Sequence, residues 1–90
     1  MPKVSIIVLN WNGKKFLKNC LDSLQKVTYS PLEIIVVDNN SADGSQEFVK
    51  KNYPKVTLVN NKENYGFAKG NNIGFMASTG DYILILNNDT

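Results

Sequence analysis

The 90-residue chain has no histidine, a single cysteine and only three prolines. Without histidine, neither a His-ligated metal centre nor a Ser–His–Asp triad can be assembled from this segment. One cysteine cannot form an internal disulfide. Cys20 falls among Phe16, Leu17, Leu21 and Leu24 at helical spacing, so it reads as a core residue rather than a nucleophile. No apolar run approaches the roughly 20 residues of a membrane span, and the start lacks a signal-peptide pattern. The expected location is therefore the cytoplasm, with the inner membrane face as the alternative for the full-length protein. A formal net charge of only +2, with lysines scattered along the chain, excludes a nucleic-acid-binding stripe. The 42% hydrophobic content excludes disorder and points to one globular domain.

The chain alternates two kinds of segment. "VSIIVLN" (4–10) is a strand rich in β-branched residues, and "GKKFLKNCLDSLQKV" (13–27) then shifts to helical period. Phe16, Leu17, Cys20, Leu21, Leu24 and Val27 mark its apolar stripe. Pro31 precedes a second buried strand, "LEIIVVD" (32–38), followed by the turn "NNSADGS". A short helix is expected from near Asp43, with the Asp43 side chain as its cap and Gln46 at the capping-box position. Pro54 closes that helix, and "VTLVN" (56–60) is the third strand. A loop then leads into a helix from about Gly66 to Ser78, ended by Gly80. Gly70 and Gly74 weaken its intrinsic propensity, which implies close packing on a sheet. "DYILILN" is the fourth strand. Such alternation predicts a three-layer, Rossmann-like α/β fold with a parallel sheet, and right-handed crossovers favour the strand order 3-2-1-4.

Each strand ends in polar residues. The first runs into Asn10, Trp11 and Asn12, the second into Asp38, Asn39 and Asn40, the third into Asn60 and Asn61, the fourth into Asn87, Asn88 and Asp89. Asparagine and aspartate are ordinary turn and cap residues, and any one pair needs no further explanation. Recurrence at every strand end is different, because a parallel sheet puts all four clusters on one edge, where open α/β sheets bind ligands. Amides carry the donors and acceptors that read a base or sugar. A lone carboxylate suits Mg²⁺ or Mn²⁺ when phosphates complete the shell. Trp11, the only tryptophan, offers a planar face for stacking on a nucleobase. Lys69 falls in the first turn of the third helix, where a cation opposes the helix dipole unless an anionic phosphate faces it.

These segments resemble the nucleotide-binding half of a family 2 glycosyltransferase of the GT-A fold. The resemblance is carried by "VSIIVLNWNG", "EIIVVDNNSADGS", "NYGFAKGNNIG" and "GDYILILNND", in that order and over essentially the whole chain. It implies that Asn10, Trp11 and Asp38 bind the base of a UDP-, dTDP- or GDP-linked sugar, with Asn12 and Asn40 among the donor-binding residues. Asp38 would accept from a base N–H. Asn64, Gly66, Lys69 and Asn72 match the family's Asn-x-Gly stretch with its basic and amide positions, Lys69 facing the phosphates. Asn87 and Asn88 lead to Asp89, which would hold a divalent ion on the diphosphate. Asn87 stands where the family's first Asp-x-Asp carboxylate often is; Asn-x-Asp, the "WNG" loop and the "NNSADGS" turn resemble the rhamnosyltransferase-like branch.

The family's acceptor site and catalytic base come from later sequence. Residues 1–90 are thus expected to form the donor-binding portion of a larger domain and to lack full transfer activity alone. "YILIL" lacks polar alternation and expects cover on both faces, so as an edge strand it predicts self-association. The alternatives are a Rossmann nucleotide-binding module and a flavodoxin-like signalling module. "NWNGKKF" offers one glycine where a dinucleotide fold needs Gly-x-Gly-x-x-Gly. Receiver domains gather acids where these strands end in asparagines. A nucleotidyltransferase would need a glycine-rich, basic loop after the first strand.

Overall fold

A computed structural model describes residues 2–88. Its elements are β1 (Val4–Asn10), α1 (Lys14–Gln25), β2 (Leu32–Asp38), α2 (Ser45–Asn52), β3 (Thr57–Asn60), α3 (Gly66–Ala77) and β4 (Tyr82–Asn87). All pairings are parallel and the order is β3-β2-β1-β4, as the alternation of segments requires. The register places Asn10 beside Asp38, Asp38 beside Asn60, and Leu9 beside Asn87. All four strand ends therefore share one edge.

Strand periodicity divides the core into two layers. Ile6, Val8 and Val36 point to one face and pack with Leu17, Leu21 and Leu24 of α1 and Val49 of α2. Ile7, Ile35 and Val37 point to the other, with Leu9, Val59 and Ile73 packed around them. Leu17 and Leu21, one helical turn apart and fully buried, each contribute about 1.5–3 kcal/mol of apolar transfer. The third helix comes closer to the sheet than a helix with side chains could. A Cβ on Gly74 would lie 2.6 Å from Ile7 Cγ2 and 2.9 Å from Val37 Cγ2, and one on Gly70 would lie 2.6 Å from Leu9 Cδ1. These glycines are therefore sites of helix–sheet contact.

Two details depart from the sequence pattern. Phe16 and Val27 are 40% and 43% exposed. Phe16 precedes Leu17 by one residue, about 100° around the helix from the core-facing line, and Val27 lies beyond the helix end at Gln25. The second helix begins at Ser45, with Gly44 at its N-cap in the left-handed region (φ 84°). Asp43 accepts from the Ser45 N–H at 3.0 Å and from the Ser45 hydroxyl. No capping box forms, because Gln46 turns to the end of β2 instead.

Among the described residues β4 is an edge strand paired only with β1, and Tyr82, Leu84 and Ile85 are more than half exposed. No helix among the described residues is long and apolar enough to cross a membrane.

Candidate functional site

Asp38 ends β2 with its side chain 1% exposed. A carboxylate so far from water needs donors, and it has four. Oδ1 accepts from Asn10 Nδ2 at 2.8 Å and Ser41 Oγ at 2.7 Å. Oδ2 accepts from the Ser41 N–H and from Gln46 Nε2, both at 2.8 Å. Two carboxylate oxygens offer about four lone-pair positions, so its accepting capacity is filled by the protein itself. These bonds offset the desolvation that would otherwise raise the cost of a buried charge by several kcal/mol. Asp38 is thus the hub that holds the β2–α2 loop to the end of β1.

The neighbouring loops are fastened to it. Asn12, in the left-handed region (φ 51°), donates its N–H to Ser41 Oγ at 2.9 Å, and its Oδ1 accepts from the Ala42 N–H at 2.7 Å. The Lys14 N–H, at the uncapped start of α1, donates to Asp43 Oδ2 at 3.0 Å. Burial raises the Asp43 carboxyl, but the hydrogen bonds from Ser45 and Lys14 outweigh it and hold the group below the usual aspartate range. Asn40 is likewise left-handed (φ 63°), a conformation asparagine tolerates better than most residues.

Amides extend the network across the sheet. Asn88 Nδ2 donates to Asn10 Oδ1, linking the end of β4 to β1. Asn39, 2% exposed, donates to the Gly66 carbonyl at 3.3 Å and accepts from Asn61 Nδ2 at 2.8 Å. Two clusters of side chains, Asn88–Asn10–Asp38 and Asn61–Asn39 with the Gly66 carbonyl, therefore tie neighbouring strand ends together and meet at consecutive residues 38 and 39.

The other sequence-predicted residues distribute around this network. Trp11 is 57% exposed on the β1–α1 loop, so it is a surface ring and not a core anchor. Asn64 caps the turn into α3, its Oδ1 accepting from the Gly66 N–H at 2.9 Å, while Gly66 takes the positive φ (83°). Lys69 is the fourth residue of α3, and its ammonium lies over the Tyr65 ring at 4.2 Å. That cation–π contact is a local partner the sequence did not suggest. Asn72 is exposed, whereas Asn71 beside it is 6% exposed and its Oδ1 has no hydrogen-bond partner among the described residues. Asp89 and the side chain of Asn87 lie outside the described residues. Among the described residues no group of three acidic, histidine or cysteine side chains could hold a metal ion.

The strand-end pattern does not mark Ser41 as part of this site, and the sequence offers Gln46 only as a capping-box residue. Ser41 has a legible signal, since a Ser three residues after an Asp at a strand end suits an Asx-type turn. Gln46 has none, because its reach to Asp38 depends on the path of the loop between them. Two surface hollows touch the rim. One of about 620 Å³ is lined by Asn12, Lys14, Lys15, Lys18, Asp43 and Phe48. A second, about 300 Å³, lies between α1 and Asn88.

Residues 5–90 match the model of glycosyl transferase family 2. Among curated proteins, glycosyltransferase GlyG of Streptococcus pneumoniae is 32% identical over 90 residues, covering 96% of this chain and 30% of GlyG. Glycosyltransferase GlyA of the same organism is 33% identical over 89 residues, covering 97% of this chain and 13% of GlyA. Among solved structures, the mannosyltransferase PcManGT from Pyrobaculum calidifontis, in complex with GDP-Man and Mn²⁺, superposes with a TM-score of 0.91 at 30% identity. That match covers 98% of this chain and 28% of PcManGT. S. aureus TarS 1–349 in complex with UDP-GlcNAc superposes at 0.87 with 29% identity, covering 97% of this chain and 26% of TarS 1–349. The chain spans less than a third of the length of each of these proteins. With its 3-2-1-4 sheet, its polar strand ends and these matches, the chain belongs to glycosyltransferase family 2 and has the fold of the N-terminal part of a GT-A domain.

Proposed function

We propose that the polar rim is the donor site of a glycosyltransferase, binding a nucleoside-diphosphate sugar for transfer to a polysaccharide, lipid or other acceptor. The observation that carries this is the joining of all four strand ends by two adjacent side-chain clusters, Asn88–Asn10–Asp38 and Asn39–Asn61, beside an exposed tryptophan. GDP-Man and UDP-GlcNAc in the similar structures support the ligand class. Trp11 covers the base, with Asn12 and Asn40 at the loop surface and Asp38 beneath. A base N–H reaches Asp38 by taking the place of one of its donors, and Gln46, a half-buried side chain on α2, is the one freest to leave. Asn64, Gly66, Lys69 and Asn72 lie toward the diphosphate, with Lys69 leaving Tyr65 for it.

Asp89, with Asn87 and Asn88 preceding it, would hold Mg²⁺ or Mn²⁺. Neutral amides and a single acid make a donor set that suits a hard cation only when the ligand's phosphates supply further oxygens. The ion would neutralise charge on the departing nucleoside diphosphate. The Mn²⁺ in the PcManGT complex supports this choice. The acceptor site and catalytic base belong to sequence outside this chain, in keeping with the greater length of its relatives. Residues 1–90 would then bind donor without transferring the sugar. Asn87-x-Asp89 and the "WNG" loop favour a rhamnosyltransferase-like donor, whereas the similar structures hold mannose and N-acetylglucosamine donors. The exposed edge of β4 supports self-association, and a monomer in concentrated sedimentation runs would contradict it.

The test is a thermal-shift panel of UDP, dTDP and GDP, each with and without Mn²⁺. Metal-dependent stabilisation by one nucleotide, lost in Asp89→Ala, is expected. Absence of any shift with all three would reject the donor-site assignment.

A further inference from the structure

Asn10 is 1% exposed, and both ends of its side chain are engaged. Nδ2 donates to Asp38 Oδ1 at 2.8 Å and to Ser41 Oγ at 3.3 Å, while Oδ1 accepts from Asn88 Nδ2. The backbone closes over it: a Cβ on Gly13 would fall 2.6 Å from Asn10 Oδ1 and 2.5 Å from Asn88 Nδ2. The Asn10 amide thus lies buried between Asp38's loop and the end of β4.

We infer that Asn10 is a positioning residue that sets Asp38 and Asn88 in one fixed relation, so that the two ends of a bound nucleoside diphosphate are matched through a buried amide. The inference rests on the donor-site reading above. The chemistry requires an amide. It donates two hydrogens to a carboxylate and a hydroxyl on one side and accepts from another amide on the opposite side. A hydroxyl residue is too short to reach both partners, a leucine leaves all of them unpaired, and an aspartate keeps the acceptor for Asn88 but turns a second charge toward Asp38. The like-charged pair would hold one proton well above the ordinary aspartate range. Protonation restores an O–H donor to Asp38, and with it the original connection.

The decisive experiment is therefore a pH profile. Binding of the tightest of UDP, dTDP and GDP is titrated calorimetrically with the unaltered chain and with Asn10→Asp. Near pH 8 the variant should bind about tenfold more weakly, equivalent to about 1.4 kcal/mol. Near pH 5 the ratio to the unaltered chain should shrink to about threefold or less, because one member of the pair is then protonated. Taking the ratio at each pH removes the titration of the nucleotide's own phosphates. A ratio that does not change with pH, or equal binding throughout, would overturn the positioning role while leaving the donor site standing. Failure of the unaltered chain to bind any of the three would remove both.

Should Asn10→Asp unfold near pH 8, by circular dichroism, a cycle of Asn88→Ala against Asn10→Ser replaces it. Non-additive losses in nucleotide affinity, at thermal midpoints above the assay temperature, are expected; additive losses would overturn the inference.

Discussion

Replacing Asp38 by asparagine tests whether the rim's hub is a stabilising element or a charge tolerated at a cost. The change is isosteric, so no cavity is made. Whichever way the new amide turns, its –NH₂ faces two former donors. In the Oδ2 position it meets the Ser41 N–H, a backbone donor that cannot reverse, and Gln46 Nε2. In the Oδ1 position it meets the Ser41 hydroxyl, which can rotate to accept, and Asn10 Nδ2, which can accept only by flipping away from Asn88. At least one hydrogen bond is lost with a donor left against a donor, costing about 1–3 kcal/mol. The surviving bonds also lose the assistance of a full charge. Easier desolvation of a neutral amide offsets part of this. A net loss of about 2–4 kcal/mol follows, or roughly 10–25 °C in a domain of this size. Thermal unfolding followed by circular dichroism at neutral pH measures it. A midpoint within about 3 °C of the unaltered chain would refute the reasoning, because the contacts would then do no more than cancel the cost of burying the carboxylate.

Gly74→Ala should destabilise and Gly70→Ala should be much milder. The new methyl at 74 meets two fully buried β-branched residues, whereas at 70 its shortest contact is the movable end of half-buried Leu9, with Asn39 Nδ2 at 3.1 Å. Overpacking costs about 1–3 kcal/mol, against about 1 kcal/mol gained in helix propensity, and urea midpoints should order the two variants accordingly. Tyr53, whose hydroxyl donates to Asp22 at 2.6 Å, has its pKa pushed up to about 12, first by burial and then by the Asp22 hydrogen bond and charge. The folded state thus retains a proton that the unfolded chain gives up near pH 10. Its contribution to stability is complete below that pH and declines as pH rises from about 10 to about 12. Chemical denaturation over that range should show this loss, and Tyr53→Phe should remove the part of the slope that Tyr53 supplies.

The fold was legible because its signals are local and periodic. The apolar runs at 4–10 and 32–38 have no polar alternation, as strands covered on both faces require, and Leu17, Leu21 and Leu24 repeat at helical spacing. Gly70 and Gly74 announced the close approach of α3, four residues apart on one helix face. The strand-end polar clusters pointed to the rim itself. What the sequence could not convey is which members of those clusters spend their hydrogen bonds on one another. That Asn10 and Asp38 bond to each other is such a case, since parallel register sets them side by side and burial makes them partners. Asp43 and Gln46 have capping-box spacing, but the left-handed turn at Gly44 shifts the helix start and leaves Gln46 free to reach Asp38. Asn71 and Asn72 are chemically identical neighbours, and only the angle of α3 on the sheet decides that the first is buried. The spacing that sets Lys69 against the helix dipole and toward a phosphate does not show its contact with an aromatic ring one turn earlier.

Trp11 permits a direct reading of the rim, since it is the only tryptophan and stands 57% exposed beside the Asp38 network. Its fluorescence should change saturably on titration with one of UDP, dTDP or GDP in the presence of Mg²⁺, and iodide should lose access to it in the bound state. A tryptophan signal and iodide accessibility unmoved by all three nucleotides at millimolar concentration would contradict the claim that this rim receives a nucleotide-linked sugar.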